Sequence, residues 1–333
     1  MKIIMIFILF FLGGVNMVHS QSNNYTVRAS IDVAYMFCDF KVNGVSSFDN
    51  RQYVFFDKGI VTTNTNVQML IENGVNNIEL EVAPLYWFSD KKQNNNNKKF
   101  DKDAACNVSL YITENSTGHL NYVAKIKIEI DKEGKPIAYS FNKTDNSIKE
   151  GVAYLDNTEK VTNNKIRYIV GEFEYPNNME VVTFKKNILF HNVPDWLWIK
   201  SEPYDESKIN SLKSAYEDLW HSFNDKNINK IKELNSAANN AWAISNNSTE
   251  EAIFKSYDII ELINEPSSKM IPIDWNNFKI ILMNKGRMVK LVYKEDFSYS
   301  PITMTYKDEN GDELLYSFSP IFSFVNGKFI PVI

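Results

Sequence analysis

The chain is poor in the residues that usually announce chemistry. Its 333 residues include two cysteines, four histidines, 12 glycines and 10 prolines. Two distant thiols and scattered histidines do not supply a tetrahedral metal site. No HExxH pair, GxSxG elbow, GxGxxG turn or phosphate-cradling glycine loop occurs. Zinc-hydrolase, serine-hydrolase, dinucleotide and P-loop signatures are therefore all missing. Asp308-Glu309-Asn310-Gly311-Asp312-Glu313 offers oxygen ligands without the spacing of an EF-hand, and reads as a hairpin turn. The expectation is no catalytic residue, no metal and no cofactor. Charge of one sign is also scarce: 36 basic and 41 acidic residues leave a formal charge of -5, without the basic surface that nucleic-acid binding needs.

What is present is a core. With 44% hydrophobic and 14% aromatic residues the chain is not disordered, and at about 100–200 residues per domain its length suggests two domains. Residues 1–20 read as a signal peptide. Lys2 supplies the positive start, Ile3 to Leu12 an apolar run too short to span a bilayer, and Val18-His19-Ser20 a cleavage site. Loss of Lys2 would take the charge from -5 to -6. No later segment is long and apolar enough to cross a membrane, so the expected location is periplasmic or secreted. An oxidising compartment permits Cys38 and Cys106 to pair; the alternative is two buried, unbonded thiols.

From residue 21 to 192 the dominant period is two, the mark of strands with one wet face. Ile78 to Val82 and Ala124 to Ile130 alternate apolar and charged residues, and a Gly134 turn leads into Ile137 to Phe141. Further strands are expected at Val27 to Phe40, Tyr53 to Phe56, Val67 to Ile71, Asn107 to Ile112, Lys165 to Phe173 and Val181 to Phe190. Short strands with Asn/Gly/Asp turns suggest an antiparallel β-sandwich. The asparagine-rich tract Lys91 to Lys99 is expected as a solvated loop.

Residues 193–333 change pattern. Asp205 is a candidate N-cap, followed by Ile209, Leu212, Tyr216, Leu219 and Phe223 on one helical face. A second helix is expected through Ile228, Ile231, Leu234, Ala238 and Trp242. A third, with Ser248-Thr249-Glu250-Glu251 as capping box, runs through Ile253, Tyr257, Ile260 and Ile263. Period two then returns in a meander of strands, Phe278 to Met283, Met288 to Tyr293, Ile302 to Tyr306, Leu314 to Phe318, Ile321 to Val325 and Phe329 to Val332. Asn310-Gly311 is the strongest hairpin signal. The fold class expected is α+β: a sandwich, then helices packed on a meander.

The run Ala215 to Asn227, with Asn326-Gly327-Lys328-Phe329 before the last strand, resembles the opening and closing of the cystatin-like or NTF2-like α+β cone. The resemblance implies helices over a concave sheet, and in enzymes of that group acid–base residues inside the cone; Asp218, His221 and Tyr216 are the positions here. The whole layout, with Ile78 to Trp87 followed by Asp103-Ala104-Ala105-Cys106, is similar to periplasmic proteins of Gram-negative bacteria, some of which are immunity proteins against contact-delivered toxins. That likeness implies a protein partner, a toxin in its sharpest form.

Trp87, Trp196 and Trp198 are the candidate partner-binding residues. Asp195-Trp196-Leu197-Trp198 reads either as an aromatic platform or as a plug between two domains. The expected function is an exported, non-enzymatic protein-binding protein; the alternatives are a cone enzyme and a carbohydrate- or lipid-binding protein, the last to be marked by an exposed aromatic strip on one sheet face. An acid and a base in contact within a reachable hollow would favour catalysis instead.

Overall fold

The computed structural model describes residues 25–56, 58–88, 99–141, 143–155, 159, 161, 176 and 178–333. The expected leader at 1–20, the strand expected at 165–173 and the asparagine tract up to residue 98 lie outside the described residues. The protein is mixed α+β, with antiparallel sheets throughout and its longer helices in the C-terminal half.

Residues 25–190 build two sheets. The six-stranded one runs in the order β4 (Val61–Asn66), β1 (Tyr25–Ala34), β6 (Ala105–Glu114), β7 (Leu120–Ile130), β8 (Pro136–Ser140), β9 (Lys143–Thr144). The five-stranded one runs β10 (Lys149–Tyr154), β11 (Glu180–Phe190), β5 (Gly74–Pro84), β2 (Met36–Val42), β3 (Val45–Asp49). Their inward residues share one core: Val27, Ala29, Ile31 and Val33 of β1 and Val108 and Leu110 of β6 meet Phe40 and Val42 of β2 and Leu80 and Val82 of β5. Strict alternation along β1 produces this, since every second side chain points to the same face. Cys38 on β2 and Cys106 on β6 are bonded across the layer, Cα atoms 6.6 Å apart and both side chains fully buried.

Three expectations for this half are corrected. Val27 to Phe40 is two strands, not one: Tyr35 takes a left-handed φ of 57°, its N–H donates to the Lys58 carbonyl, and the chain changes sheets there. Tyr53 to Phe56 is helical, within α1 (Arg51–Phe56). Buried Asn50 closes that excursion by donating to the Met36 and Gly59 carbonyls while accepting from the Cys38 N–H. Gly59 is required in this lock, because at φ +70° a Cβ would lie 2.7 Å from the Met36 carbonyl oxygen. Val67 to Ile71 is a tight 3₁₀ turn over Gln68–Leu70, with the buried Gln68 amide tied to Val27 and Tyr25.

In the C-terminal half, α2 (Ile209–Asn224) buries Leu212, Tyr216, Leu219 and Phe223, the stripe read from the sequence. Asp205 caps the short turn ahead of it, accepting from the Ser207 N–H. The second and third expected helices are each two. α3 (Ile228–Leu234) and α4 (Ser236–Asn246) part at buried Asn235, whose amide turns back onto the Ile231 carbonyl. α5 (Glu250–Lys255) and α6 (Ile259–Asn264) part at Asp258, left-handed at φ 53°. Thr249 is the cap of α5, accepting from the Ala252 N–H, and Glu251 is paired with Lys232 instead of closing a capping box.

The strands that follow do not form one meander. β13 (Phe278–Met283), β14 (Met288–Tyr293), β17 (Phe322–Val325) and β18 (Lys328–Pro331) make a four-stranded sheet. β12 (Lys269–Met270), β15 (Ile302–Lys307) and β16 (Glu313–Phe318) make a separate three-stranded one. Pro301 and Pro320 flank the β15–β16 hairpin at its open end and have no N–H to give to a continuing ladder. The helices and both sheets enclose a second core that includes Tyr216, Phe223, Phe254, Leu291, Tyr293 and Phe322.

The cross-layer disulfide closes a loop with a sequence separation of 68, which in the chain-entropy model contributes about 4 kcal/mol. Replacing both Cys38 and Cys106 by alanine is expected to lower the unfolding free energy by roughly 2–4 kcal/mol, read from the urea midpoint, with the native far-UV spectrum retained.

Candidate functional site

The two halves meet through two indoles. The Trp196 Nε1–H donates to the Ile71 carbonyl at 2.9 Å and the Trp198 Nε1–H to the Met69 carbonyl at 2.8 Å. Met69 lies in a turn and Ile71 directly after it, outside any strand, so both carbonyls are free of a ladder and available to these donors. Arg287 stacks over the Trp198 ring at 4.9 Å and forks onto both Glu72 oxygens at 2.9 and 2.6 Å. Those hydrogen bonds hold the Glu72 carboxyl below the usual carboxylate range. The expectation of a partner-binding platform at Trp196 and Trp198 is thereby corrected: they are 3% and 1% exposed and fill the junction. Trp87 is half-buried on the turn Leu85–Phe88, packed against the cluster of Phe37, Val54, Ala83, Met179 and Val181.

The junction also covers the outer face of the five-stranded sheet. On that face Asp39 of β2 stands opposite Glu81 of β5, and Asp49 of β3 stands opposite Asp39. Strand β5 is consequently buried on both faces, against the disulfide core on one side and, in part, the C-terminal half on the other. Between the carboxylates and the covering residues Ile281, Lys290, Val292 and Phe297 lies a cavity of about 320 Å³. Tyr154, 66% exposed, stands at its rim.

Lys41 binds Glu81 at 2.6 Å and lies 3.6 Å from Asp39, whose other oxygen accepts from Ser46 Oγ at 2.7 Å. An acid and a base are therefore in contact in the wall of a hollow, a cluster the sequence analysis does not anticipate. Burial pushes the Asp39 carboxyl up to about 7; Lys41 opposes the shift, and Asp49 and Glu81 add to it. Lys41 makes its closer contact with Glu81, which leaves Asp39 the less compensated of the two carboxyls. Burial by itself would lower Lys41, but Asp39 and Glu81 outweigh it and the net direction is upward. Lys290, across the cavity, is lowered by burial, with Asp39 partly opposing.

A second feature is the outer face of the six-stranded sheet. Tyr111 on β6 pairs with Tyr122 on β7, ring centroids 5.8 Å apart. The register slips by one residue after Leu110, so Val123 is an extra residue on β7, a bulge. Leu120, Tyr122 and Val123 are 48%, 53% and 37% exposed. The Tyr111 hydroxyl donates to the Asn64 side chain, and a shallow groove of about 430 Å³ runs alongside, lined by Thr26, Arg28, Tyr111, Thr113, Asn246 and Asn247. The sequence signal was the apolar Leu120-Asn121-Tyr122-Val123 directly ahead of the alternating run from Ala124.

The residues considered for a cone enzyme are not brought together. Tyr216 is fully buried, accepts from the Leu291 N–H and has its pKa raised by burial; Asp218 and His221 lie exposed on α2. The space beneath α2 is filled by Leu212, Leu219, Phe223 and Phe322. Among the described residues no group of three or more His, Cys, Asp or Glu side chains could hold a metal ion, and no helix is long and apolar enough to cross a membrane.

The chain matches no family model, no curated protein and no solved structure.

Asp39 has a higher pKa in the folded protein than in the unfolded chain, so the folded state holds the extra proton between about pH 4 and 7. Its contribution to stability is full below the unfolded value and declines as pH rises to about 7. Asp39→Asn removes that slope. Between pH 5 and pH 8 the unfolding free energy of the wild type is expected to fall by on the order of 1–3 kcal/mol more than that of the variant, measured by urea titration at both pH values.

Proposed function

We propose that this is an exported binding protein that captures a protein partner on the outer face of its six-stranded sheet. The observation that carries the reading is the Tyr111–Tyr122 pair with Leu120 and Val123, an exposed aromatic and aliphatic patch beside Arg28 and a polar margin of Thr26, Thr113 and Asn115. Aromatic anchors ringed by polar groups are the anatomy of a protein interface. An aromatic strip on a sheet face is also the mark of a carbohydrate or lipid binder, and the aliphatic Leu120 and Val123 beside the tyrosines are what favour a protein here. In this reading residues 21–192 are a β-sandwich clamped by Cys38–Cys106, and residues 193–333 are a cystatin- or NTF2-like body with a packed interior that serves as a brace. The shared core between the first two sheets supports the former; the stripe of α2 against β14 and β17 supports the latter. A periplasmic location fits the leader, and a delivered toxin is the sharpest form of partner.

Catalysis in the charged cavity is the competing reading, favoured by the Lys41–Glu81 contact in its wall. Chemistry there would first require a ligand that enters.

Capture from periplasmic extract by the wild-type chain is set beside capture by Tyr111→Ala/Tyr122→Ala. Both tyrosines lie on the outer face of the sheet, Tyr122 exposed and Tyr111 half-buried, so the double variant should keep its fold, checked by its unfolding midpoint. A partner held by the wild type should bind the variant at least about tenfold more weakly, the loss expected when interface anchors are truncated. Equal capture by the two proteins removes the sheet face from the function. Retention of a glycan in place of a protein, again lost in the variant, assigns the face to carbohydrate.

A further inference from the structure

The cavity at the junction has walls of opposite character. One wall is the five-stranded sheet, where Asp39 and Glu81, 5% and 6% exposed, stand side by side in register with Asp49 beyond them, and the cations Lys41 and Arg51 reach the same hollow from that side. The other is the β13–β14 pair, where Ile281 lies opposite Lys290 in the ladder and Val292 follows two residues on. On the acidic wall Glu81 has one oxygen on Lys41, and its second, buried oxygen has no hydrogen-bond partner. On the basic wall the Lys290 ammonium makes no hydrogen bond or ion pair among the described residues. A buried polar atom left without a partner is costly, and an ammonium without a partner facing a carboxylate with one open oxygen across one hollow calls for a ligand that carries both signs. Leu155, Ile281, Val292 and Phe297 supply apolar lining between them.

We propose that this cavity binds a free α-amino acid with an apolar side chain, its carboxylate on Lys290, its ammonium on the Asp39–Glu81 wall and its side chain against Val292 and Phe297. A purely anionic ligand would satisfy Lys290 but face the carboxylates, and a purely cationic one would leave Lys290 uncompensated; a zwitterion meets both walls at no net charge. About 320 Å³ is ample for such a molecule. Both walls are needed, so the site exists only while the two indoles hold the halves together. The inference uses none of the residues of the tyrosine face and stands apart from protein capture there.

The test uses the full chain with its disulfide intact. A thermal-shift screen of the proteinogenic amino acids at pH 7 selects the probe, and calorimetric titration compares it with analogues lacking one charge: for L-leucine, isoamylamine without the carboxylate and isocaproate without the ammonium. At least one apolar amino acid is expected to raise the midpoint and bind saturably, with each single-charge analogue at least tenfold weaker. Lys290→Met should weaken binding at least tenfold, and Lys290→Arg should stay within tenfold of the wild type. Absence of a shift with every amino acid overturns the proposal, as does an amine or acid analogue that binds as tightly as the amino acid. Unchanged affinity in a folded Lys290→Met overturns it too; should that variant not fold, the analogue comparison on the wild type decides.

Discussion

Everything distinctive about this protein depends on two indole N–H groups finding carbonyls 125 and 129 residues away in sequence. Tryptophan suits this task because one side chain both fills a large volume and brings a single directed donor, so the contact is apolar and orientationally specific at once. Arg287 adds a planar cation on the Trp198 face and a two-pronged bond to Glu72, and the Asn284 N–H donates to the Asn43 carbonyl close by. Together they set β14 over the outer face of β2 and β5. Without that docking Asp39 and Glu81 would be ordinary surface carboxylates of a half-wet sheet. With it they are enclosed, and their environment changes from water to a mixed polar and apolar hollow.

Much of the local architecture was legible from the sequence, and the reasons differ by element. β13 and β14 fall on the expected residues because two short, mostly apolar runs are joined by a turn that contains a glycine. The stripe Leu212, Tyr216, Leu219 and Phe223 was legible because helical spacing and burial tell the same story. What escaped were decisions made by single residues whose signal is not their type but their partner. Tyr35 switches sheets with a left-handed φ that nothing in a tyrosine advertises; Asn50 turns an apolar Tyr53-Val54-Phe55-Phe56 run into a helix by tying its neck; Asn235 and Asp258 interrupt helices whose apolar spacing continues straight through.

The sites were less legible than the elements. Alternating charges such as those of Ile78 to Val82 read as a wet face, and in an isolated sheet they would be one. Only a distant segment decides otherwise, since Lys290 is 209 positions beyond Glu81 in the numbering of the chain. For the same reason the tryptophans could be read either as a platform or as a plug, since their burial is set by a turn that itself resembled a strand. The exposed Tyr111–Tyr122 pair depends on a one-residue bulge, which period counting passes over.

The left-handed residue Tyr35 has a consequence for the order in which the molecule can assemble. Because it sends β1 and β2 into different layers within one residue, these two successive strands cannot pair with each other as a hairpin when they are made. β1 must wait for β4 and β6, β2 can close early on β3, and the hollow above β2 is roofed only when β13 and β14, close to the end of the chain, have emerged. A nascent chain of this protein therefore carries its acidic pair in water until β13 and β14 have emerged, and the enclosed state of that pair is a marker that those two strands have docked.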